Sequence, residues 1–321
     1  MSDRLESVAC NLCGSFDLLP AYSQPDELFH PDEWFNVVEC KSCGLGFVNP
    51  RPTQEDIGRY YPEAFYHDFD DPHHQQRYAL EAGYLENIDT PSMTLLDVGC
   101  ANGDFARYMK KMGWRIEGVE ISPNARKVKD FTVYNCALPD IPISEARYDA
   151  ITAWAVLEHV HDPMAYFMKA SQILKPGGRF VFLVTDFQSL PSRHLYREDL
   201  PRHLYFFTEP TVKRYLKTAG FELQKVDRNN KIFSLRPVNW LRYYLYKLFL
   251  KRPPSWHEIP EAPRDYFKRK GSSSLKDKIF YIATHPFAVV DRLLLPMFEL
   301  LAPPALTRGI VIYVAIKQSD R

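Results

Sequence analysis

TLLDVGCANGDFARYMKKMGWRIEGVEIS, residues Thr94 to Ser122, decides the fold. Thr94 to Val98 is a short apolar run with an acid near its end, the pattern of a buried parallel strand. Gly99-Cys-Ala-Asn-Gly103 follows as a glycine-bounded turn. Asp104 to Met112 then places Phe105, Tyr108, Met109 and Met112 on one helical face, and Gly113 stops the helix. Arg115 to Val119 reads as a second strand ending at Glu120. Strand, turn, helix and strand make a right-handed βαβ unit whose ligand crevice lies at the carboxyl ends of the strands. Glycines let backbone approach a ligand closely, and an acid ending the second strand can accept both hydroxyls of a ribose.

Nicotinamide enzymes use the same device, but three features point elsewhere. Asp97 stands two residues before the first glycine, where a pyrophosphate would be repelled. The glycine spacing is G-x-x-x-G, without the third glycine of G-x-G-x-x-G. Further on come YDAITAWAVLEHV (Tyr148 to Val160) and LKPGGRFVFLV. Together these resemble the class I S-adenosylmethionine-dependent methyltransferases, over roughly Leu85 to Val226. The resemblance implies a doubly wound, seven-stranded, mostly parallel α/β sheet that binds S-adenosylmethionine. It places the cofactor against Asp97, Gly99, Cys100, Ala101, Gly103, Glu120 and Ile121, then Ala137, Leu138, Ala153 and Trp154. Ala101 replaces the family's middle glycine. The family acid that contacts the adenine amino group is also missing, since its place falls at Cys136-Ala137-Leu138. Adenine would then be read by backbone groups and apolar packing, or by Asp140. Cys100 and Cys136 themselves read most simply as small buried residues.

Cys10-Asn-Leu-Cys13-Gly14 and Cys40-Lys-Ser-Cys43-Gly44 are matched C-x-x-C-G turns. Each glycine permits the positive φ that such a knuckle needs. Two knuckles supply four soft ligands in the closed tetrahedron of structural zinc. Residues 1–48 are too short for a good core, and zinc binding would supply the missing folding free energy. A redox pair is the alternative, though it would not need two copies.

The chain has 321 residues, with forty basic and forty acidic side chains that cancel. No global field therefore recruits nucleic acid or anionic membrane. A hydrophobic share of 45% and a mean hydropathy of −0.33 describe a soluble protein. MSDRLESVAC has no apolar signal core, so a cytoplasmic chain is expected, in which paired cysteines hold metal.

Residues 49–93 read as a linker and covering helices. Asn49-Pro-Arg-Pro is a stiff connection, Gln54 to Tyr61 a short helix, and Tyr60, Tyr61, Phe65 and Tyr66 an aromatic cluster. The ribbon, the PRP connection and YYPEAFY together resemble the N-terminal module of sugar C-methyltransferases and related bacterial glycan-associated methyltransferases. There a tyrosine lines the substrate pocket, which makes Tyr66 a candidate, with packing on the core as the alternative for any one tyrosine. His73 and His74 fall in a polar loop. Arg77 to Asn87 should cover the sheet.

The methyltransferase core spans residues 94–230 plus 309–321. Ser122-Pro123 starts a helix, Phe131 to Tyr134 is the third strand, Tyr148 to Ala155 the fourth and Arg179 to Thr185 the fifth. Asp162 and Thr208 cap helices. Asp186 to Leu204 reads as a long polar loop that covers substrate. Phe221 to Val226 is the sixth strand, and Gly309 to Lys317 returns antiparallel as the last. Residues 231–308 form a helical insertion of two apolar helices. Their charges and prolines keep them from spanning a membrane, so they pack as a lid or lie on a membrane surface, at its inner face.

Methyl transfer from a sulfonium is an in-line displacement in which alignment supplies most of the acceleration. A hydroxyl or enolisable carbon must also lose a proton, and histidine has a suitable pKa. The sugar C-methyltransferase resemblance points to His203 in HLYFFT as the base, with a capping or packing role as its alternative. In that family a glutamate precedes the histidine. Here Arg202 does, which shifts weight from carbon to oxygen methylation. His159 in the LEH motif either touches substrate or bonds its own loop. The expected acceptor is a small molecule, a nucleotide sugar or a lipid-linked glycan. A zinc-ribbon rRNA base methyltransferase is the alternative, against which the neutral charge and the absence of an N-P-P-Y-like loop stand. A non-catalytic scaffold that binds the cofactor is the third reading.

Overall fold

In a computed structural model of the chain, an N-terminal sheet accompanies a larger α/β sheet and takes its last strand from a segment of the chain between two strands of that larger sheet. The structure describes residues 4–26, 28–62, 74–86, 88, 93–122, 128–195, 199–229, 231–233, 240–251 and 275–319. Phe65, Tyr66, His73 and the helix expected from Pro123 lie outside the described residues.

The N-terminal part runs through β1 (Leu5–Glu6), β2 (Leu18–Pro25), β3 (Trp34–Cys40), β4 (Gly46–Val48) and β5 (Arg51–Pro52). β1 pairs with β5, while β2, β3 and β4 form one antiparallel ladder. The knuckle glycines have the expected left-handed backbone, φ +72° at Gly14 and +77° at Gly44. Their N–H groups donate to the Cys10 and Cys40 carbonyls at 2.8 Å. Ile57–Tyr60 is a single tight turn, shorter than the helix expected over Gln54 to Tyr61. α1 (His74–Ala82) begins earlier than Arg77 and gives way at Gly83, a poor helix former.

The core then follows: β6 (Thr94–Val98), α2 (Asp104–Lys111), β7 (Arg115–Val119), β8 (Thr132–Tyr134), β9 (Tyr148–Trp154), α3 (Pro163–Ile173) and β10 (Leu174–Thr185). After it come β11 (Tyr205–Phe206), α4 (Glu209–Thr218) and β12 (Phe221–Arg228), the inserted helices α5 (Trp240–Phe249) and α6 (Leu275–Leu301), the short α7 (Pro304–Thr307) and β13 (Ile310–Lys317). The large sheet has seven strands in the order β12-β13-β10-β9-β6-β7-β8. β6 to β10 run parallel, and β13 is antiparallel to both neighbours. The chain winds outward from β6 through β7 and β8, then restarts at β9 on the other side. The strand order therefore reverses between β6 and β9, where an open α/β sheet leaves its crevice.

Local signals behave as the residue types require. Asp162 caps α3 by accepting from the Ala165 N–H, and Thr208 and Thr211 form a reciprocal capping box at α4. α3 and α4 cover one face of the sheet through Phe167, which stacks on Tyr215 at 5.1 Å and meets Phe182 edge-on. α2 covers the other through Phe105 and Met109. Met112 lies past the last helical residue and is 60% exposed, so it does not join that face.

Two findings depart from a minimal fold. First, the segment expected to be a polar cover over Asp186 to Leu204 is largely interior among its described residues: Asp186, Phe187, Ser189, Ser192, Leu200 and Arg202 are buried. Phe187 and Leu200 share a small core with Phe35, Val37, Val48, Tyr60 and Phe206. The segment ends in β11, which pairs antiparallel with β4 and completes the N-terminal sheet. Second, α5 and α6 pair through buried polar groups. The Asp291 carboxylate accepts the Leu241 N–H at 3.2 Å, and Arg242 donates to Thr284 Oγ1 at 3.3 Å. Outward, the pair exposes Tyr244, Leu248, Phe249, Ile279, Ile282, Val289, Leu293, Met297, Leu300 and Leu301. No helix among the described residues is long and apolar enough to cross a membrane.

Candidate functional site

The β6–α2 turn sits at the carboxyl end of β6, beside the point where the strand order reverses. Gly99 and Gly103 take φ of +72° and +82°, and Ala101 is held at +47°. A Cβ on Gly99 would meet Val156 Cγ2 at 2.5 Å, so this turn requires glycine for both conformation and space. Gly99 and Ala101 are exposed, whereas Cys100 is buried, its sulfur 2.6 Å from where a Gly118 Cβ would stand. Glu120, at the end of β7, accepts the Ala101 N–H on Oε2 at 2.9 Å and the Ser122 N–H on Oε1 at 2.7 Å. Each carboxylate oxygen keeps a second lone pair for a ligand hydroxyl. Ile121 beside it is 69% exposed. A single turn over Leu138–Asp140 closes the next edge, with Leu138 buried, Ala137 half-buried and Asp140 exposed. The arrangement fits an adenosyl group: a glycine turn for close backbone approach, an acid for hydroxyls and an apolar edge for a ring.

Ala153 and Trp154 occupy opposite faces of β9. Ala153 lies in the core under α3, whereas Trp154 packs edge-on against Phe105 of α2 at 5.6 Å and against Tyr84 at 6.3 Å. Its buried indole N–H has no acceptor among the described residues. Beneath the turn, Asp97 is 3% exposed and accepts the Thr152 hydroxyl at 2.7 Å. Burial pushes its carboxyl up to about 7; the Thr152 hydrogen bond opposes this and the nearby Glu120 charge adds to it. Glu81 of α1 is buried as well and is pushed up to about 8 by burial, with Arg77 2.9 Å away opposing the shift.

The second half of the site lies where the two sheets meet. His159 follows β9, and His203 precedes β11. Their rings cross edge to face with centroids 4.5 Å apart, and both lie within 4.8 Å of a Glu158 carboxylate oxygen by their ligand atoms. The Glu158 carbonyl accepts the N–H groups of Leu204 and Tyr205 at 2.7 and 3.1 Å, which locks the LEH loop to β11. His159 Nδ1 is 3.1 Å from the Arg202 carbonyl and 3.1 Å from the Tyr61 hydroxyl. Because a carbonyl only accepts, Nδ1 carries the hydrogen and Nε2 holds the lone pair. Burial and the neighbouring His203 hold His159 down to about 3, so it is neutral at physiological pH.

Arg202 itself is fully buried. It pairs bidentately with Asp199 (Nε–Oδ2 2.8 Å, Nη2–Oδ1 2.5 Å), donates to Asp26 Oδ1 at 2.9 Å, and reaches the Tyr60 carbonyl at 3.1 Å. Asp26 is equally buried and also accepts the N–H groups of Leu28, Phe29 and His30. Sequence reading singled out His159 and His203, and the structure brings them together. It missed Tyr61 as the partner of His159, and it missed Asp26 and Asp199 altogether. The one local signal was the arginine that stands where a glutamate was expected.

The four cysteines of the knuckles converge. Cys10 and Cys43 sulfurs are 3.3 Å apart, Cys13 and Cys40 sulfurs 3.5 Å, and all four lie within 4.8 Å of one another. Sulfurs bound at about 2.3 Å around one ion would be roughly 3.8 Å apart, so the set fits a tetrahedral centre with no open position.

A family model described as a methyltransferase domain matches residues 73–226. Ubiquinone biosynthesis O-methyltransferase of Xanthomonas campestris pv. campestris (strain B100) is 31% identical over 186 residues, covering 48% of this chain and 76% of that protein. The Paracidovorax citrulli protein of the same name is 31% identical over 118 residues, 33% of this chain and 49% of its own length. The chain thus spans about half of that relative. Among solved structures, Burkholderia thailandensis 1,6-didemethyltoxoflavin-N1-methyltransferase, with bound 1,6-didemethyltoxoflavin and S-adenosylhomocysteine, superposes with a TM-score of 0.48 at 15% identity, over 88% of this chain and 99% of that one.

Asp97 sets a testable pH dependence. An unfolded aspartate titrates near 3.9, so a folded value near 7 means that the ionised form is disfavoured by folding. Its contribution to stability is full below about pH 4 and is lost as the pH rises to about 7. In urea titrations of cofactor-free protein, Asp97→Asn should flatten the stability decline across that window relative to wild type. Parallel pH curves for the two proteins would contradict the assignment.

Proposed function

The chain belongs to the S-adenosylmethionine-dependent methyltransferases, and on that premise we propose that it transfers the cofactor's methyl group to a hydroxyl of a small molecule held at the His159/His203 pair. The observation that carries this reading is the placement of that pair just after β9: Val156 packs against Gly99 of the turn, and its carbonyl accepts the His159 N–H. Bound S-adenosylmethionine supplies an electrophilic methyl group on sulfur. The residues that would hold it are Gly99, Cys100, Ala101 and Gly103 by backbone, Glu120 at the ribose, and Ile121, Ala137 and Leu138 around the adenine. Ala153 supports this edge from within the core. Asp97 and Trp154 support the turn from below, the latter through Phe105.

His203 is the proposed base. Its N–H donates to the Asp199 carbonyl at 2.8 Å, which fixes the backbone from which the imidazole projects. The Asp199 carboxyl, held below its usual range by Arg202 against the push of burial, stays ionised and favours the imidazolium that forms. His159, being neutral, puts no like charge beside it. This is the chemistry of hydroxyl deprotonation, in keeping with O-methylation, the activity in the names of the ubiquinone-biosynthesis relatives. We place the acceptor in the class of hydroxyl-bearing small molecules carried on lipid, either a prenylated aromatic ring or a lipid-linked glycan.

The helix pair supports a lipid-borne acceptor. Its exposed side chains are mostly large and apolar, with Lys247 and Arg292 among them, and the sequence from Lys251 to Lys278 holds eight Lys or Arg residues against four Asp or Glu. An apolar face on two helices joined by a net positive stretch of sequence suits the surface of an anionic bilayer. Zinc is the proposed occupant of the four-cysteine site, with a structural role only.

Three measurements check these readings. Elemental analysis of protein purified without chelator should give one zinc per chain, and Cys13→Ser should abolish it; metal-free wild type would refute the site. Sedimentation with vesicles containing about 30% anionic lipid should retain wild type and lose Leu293→Glu/Leu300→Glu. If the double variant instead turns a dimer into a monomer without changing vesicle binding, the face joins two copies. Finally, labelled S-adenosylmethionine offered with prenylated phenols, lipid-linked glycans and nucleotide sugars should label one hydroxyl class. With that acceptor, His203→Ala should lower turnover by about 10²–10⁴-fold and lose the acidic limb of the pH profile, with unchanged cofactor affinity. Normal turnover with reduced thermal stability would make His203 a structural residue.

A further inference from the structure

The N-terminal sheet touches the histidine pair through one chain of buried charges. Asp26 ends the β2 side of the β2–β3 hairpin, and Arg202 and Asp199 stand just before β11. Arg202 is held at every edge: Asp199 grips Nε and Nη2, Asp26 grips Nη2, and the Tyr60 carbonyl takes Nη1. The Phe29 ring lies 5.3 Å from the guanidinium carbon. The Arg202 carbonyl is in turn the acceptor that fixes His159, and it is 3.5 Å from the Tyr61 hydroxyl. Asp199 holds the backbone of His203. One side chain thus joins residues 176 positions apart in sequence, next to the two backbone carbonyls that meet His159 Nδ1 and the His203 N–H.

We propose that Asp26, Arg202 and Asp199 are positioning residues that let the N-terminal sheet set the orientation of His159 and His203. The clamp acts by holding the peptide of Arg202, so that its carbonyl faces His159 Nδ1 and holds the hydrogen there. Lysine in place of Arg202 keeps the charge but presents no planar fork, and cannot grip Asp199 at two points while reaching Asp26. Asparagine in place of Asp26 still accepts backbone N–H groups but no longer pairs with the guanidinium. The inference rests on the reading that the histidine pair faces the acceptor, yet it is tested without an acceptor.

The test uses the full zinc-loaded chain with ¹⁵N-labelled histidine. Imidazole nitrogen shifts report the tautomer of His159, and calorimetry with S-adenosylhomocysteine reports the cofactor side. Wild type should show His159 as a single neutral tautomer with hydrogen on Nδ1. Arg202→Lys and, independently, Asp26→Asn should convert it to a mixture of tautomers. Zinc content should be unchanged, and S-adenosylhomocysteine affinity should stay within about twofold, a difference of under 0.5 kcal/mol. Retention of the wild-type tautomer in both folded variants would overturn the clamp. So would parallel loss of cofactor binding, because the network would then be general scaffolding. If His203→Ala has normal turnover while the tautomer responds as expected, the clamp stands and the base assignment falls.

Discussion

The burial of one guanidinium governs how the two sheets meet. A charge taken out of water at full depth is costly, and it is tolerated only when paired and hydrogen-bonded on all sides. Arg202 meets that condition by drawing one acid from its own loop and another from the N-terminal hairpin. Such a network adds little net stability compared with an apolar core of the same shape. It does penalise every arrangement in which one partner is missing. The N-terminal hairpin is therefore held at one register and one distance from the loop that carries His203. Arg51 repeats the device on a smaller scale. It reaches the His161 carbonyl at 2.7 Å and the Tyr205 hydroxyl at 2.8 Å while pairing with Glu6.

Beneath this seam, the larger sheet does what its winding requires. The reversal of strand order between β6 and β9 leaves a crevice at their carboxyl ends, and the glycine turn opens backbone toward it. Three acids collect there with different surroundings. Glu120 is stabilised by two backbone donors, whereas Asp97 and Glu81 are pushed toward the neutral form by burial. Environment separates a carboxylate able to accept hydroxyls from two carboxyls that avoid charge in the interior.

Much of this was legible in the residues themselves. The βαβ unit, the caps at Asp162 and Thr208 and the knuckle glycines rest on local chemistry, namely period, side-chain acceptors and positive φ. The structure repeats them with ends shifted by a residue or two. The antiparallel return of the last strand came from family resemblance and is also present. The interior character of the Asp186 to Leu204 segment was not legible. Its serines and aspartates look solvated in sequence, but Asp186 pairs with Arg228 and Arg202 with Asp26, partners 42 and 176 residues away. Ion pairs of that separation leave no periodic trace. Trp154 illustrates the same limit. Its position at the end of β9 suggested contact with the cofactor, and only the packing of α2 shows Phe105 against it.

Cofactor and acceptor chemistry are proposed to meet at the seam between the two sheets, and a crystal structure of the full chain with S-adenosylhomocysteine would show whether they do. Ribose hydroxyls should lie on Glu120, and the open side of the thioether sulfur should face the His159/His203 pair. A sulfur pointing away from that pair, with the N-terminal sheet remote from the crevice mouth, would contradict it.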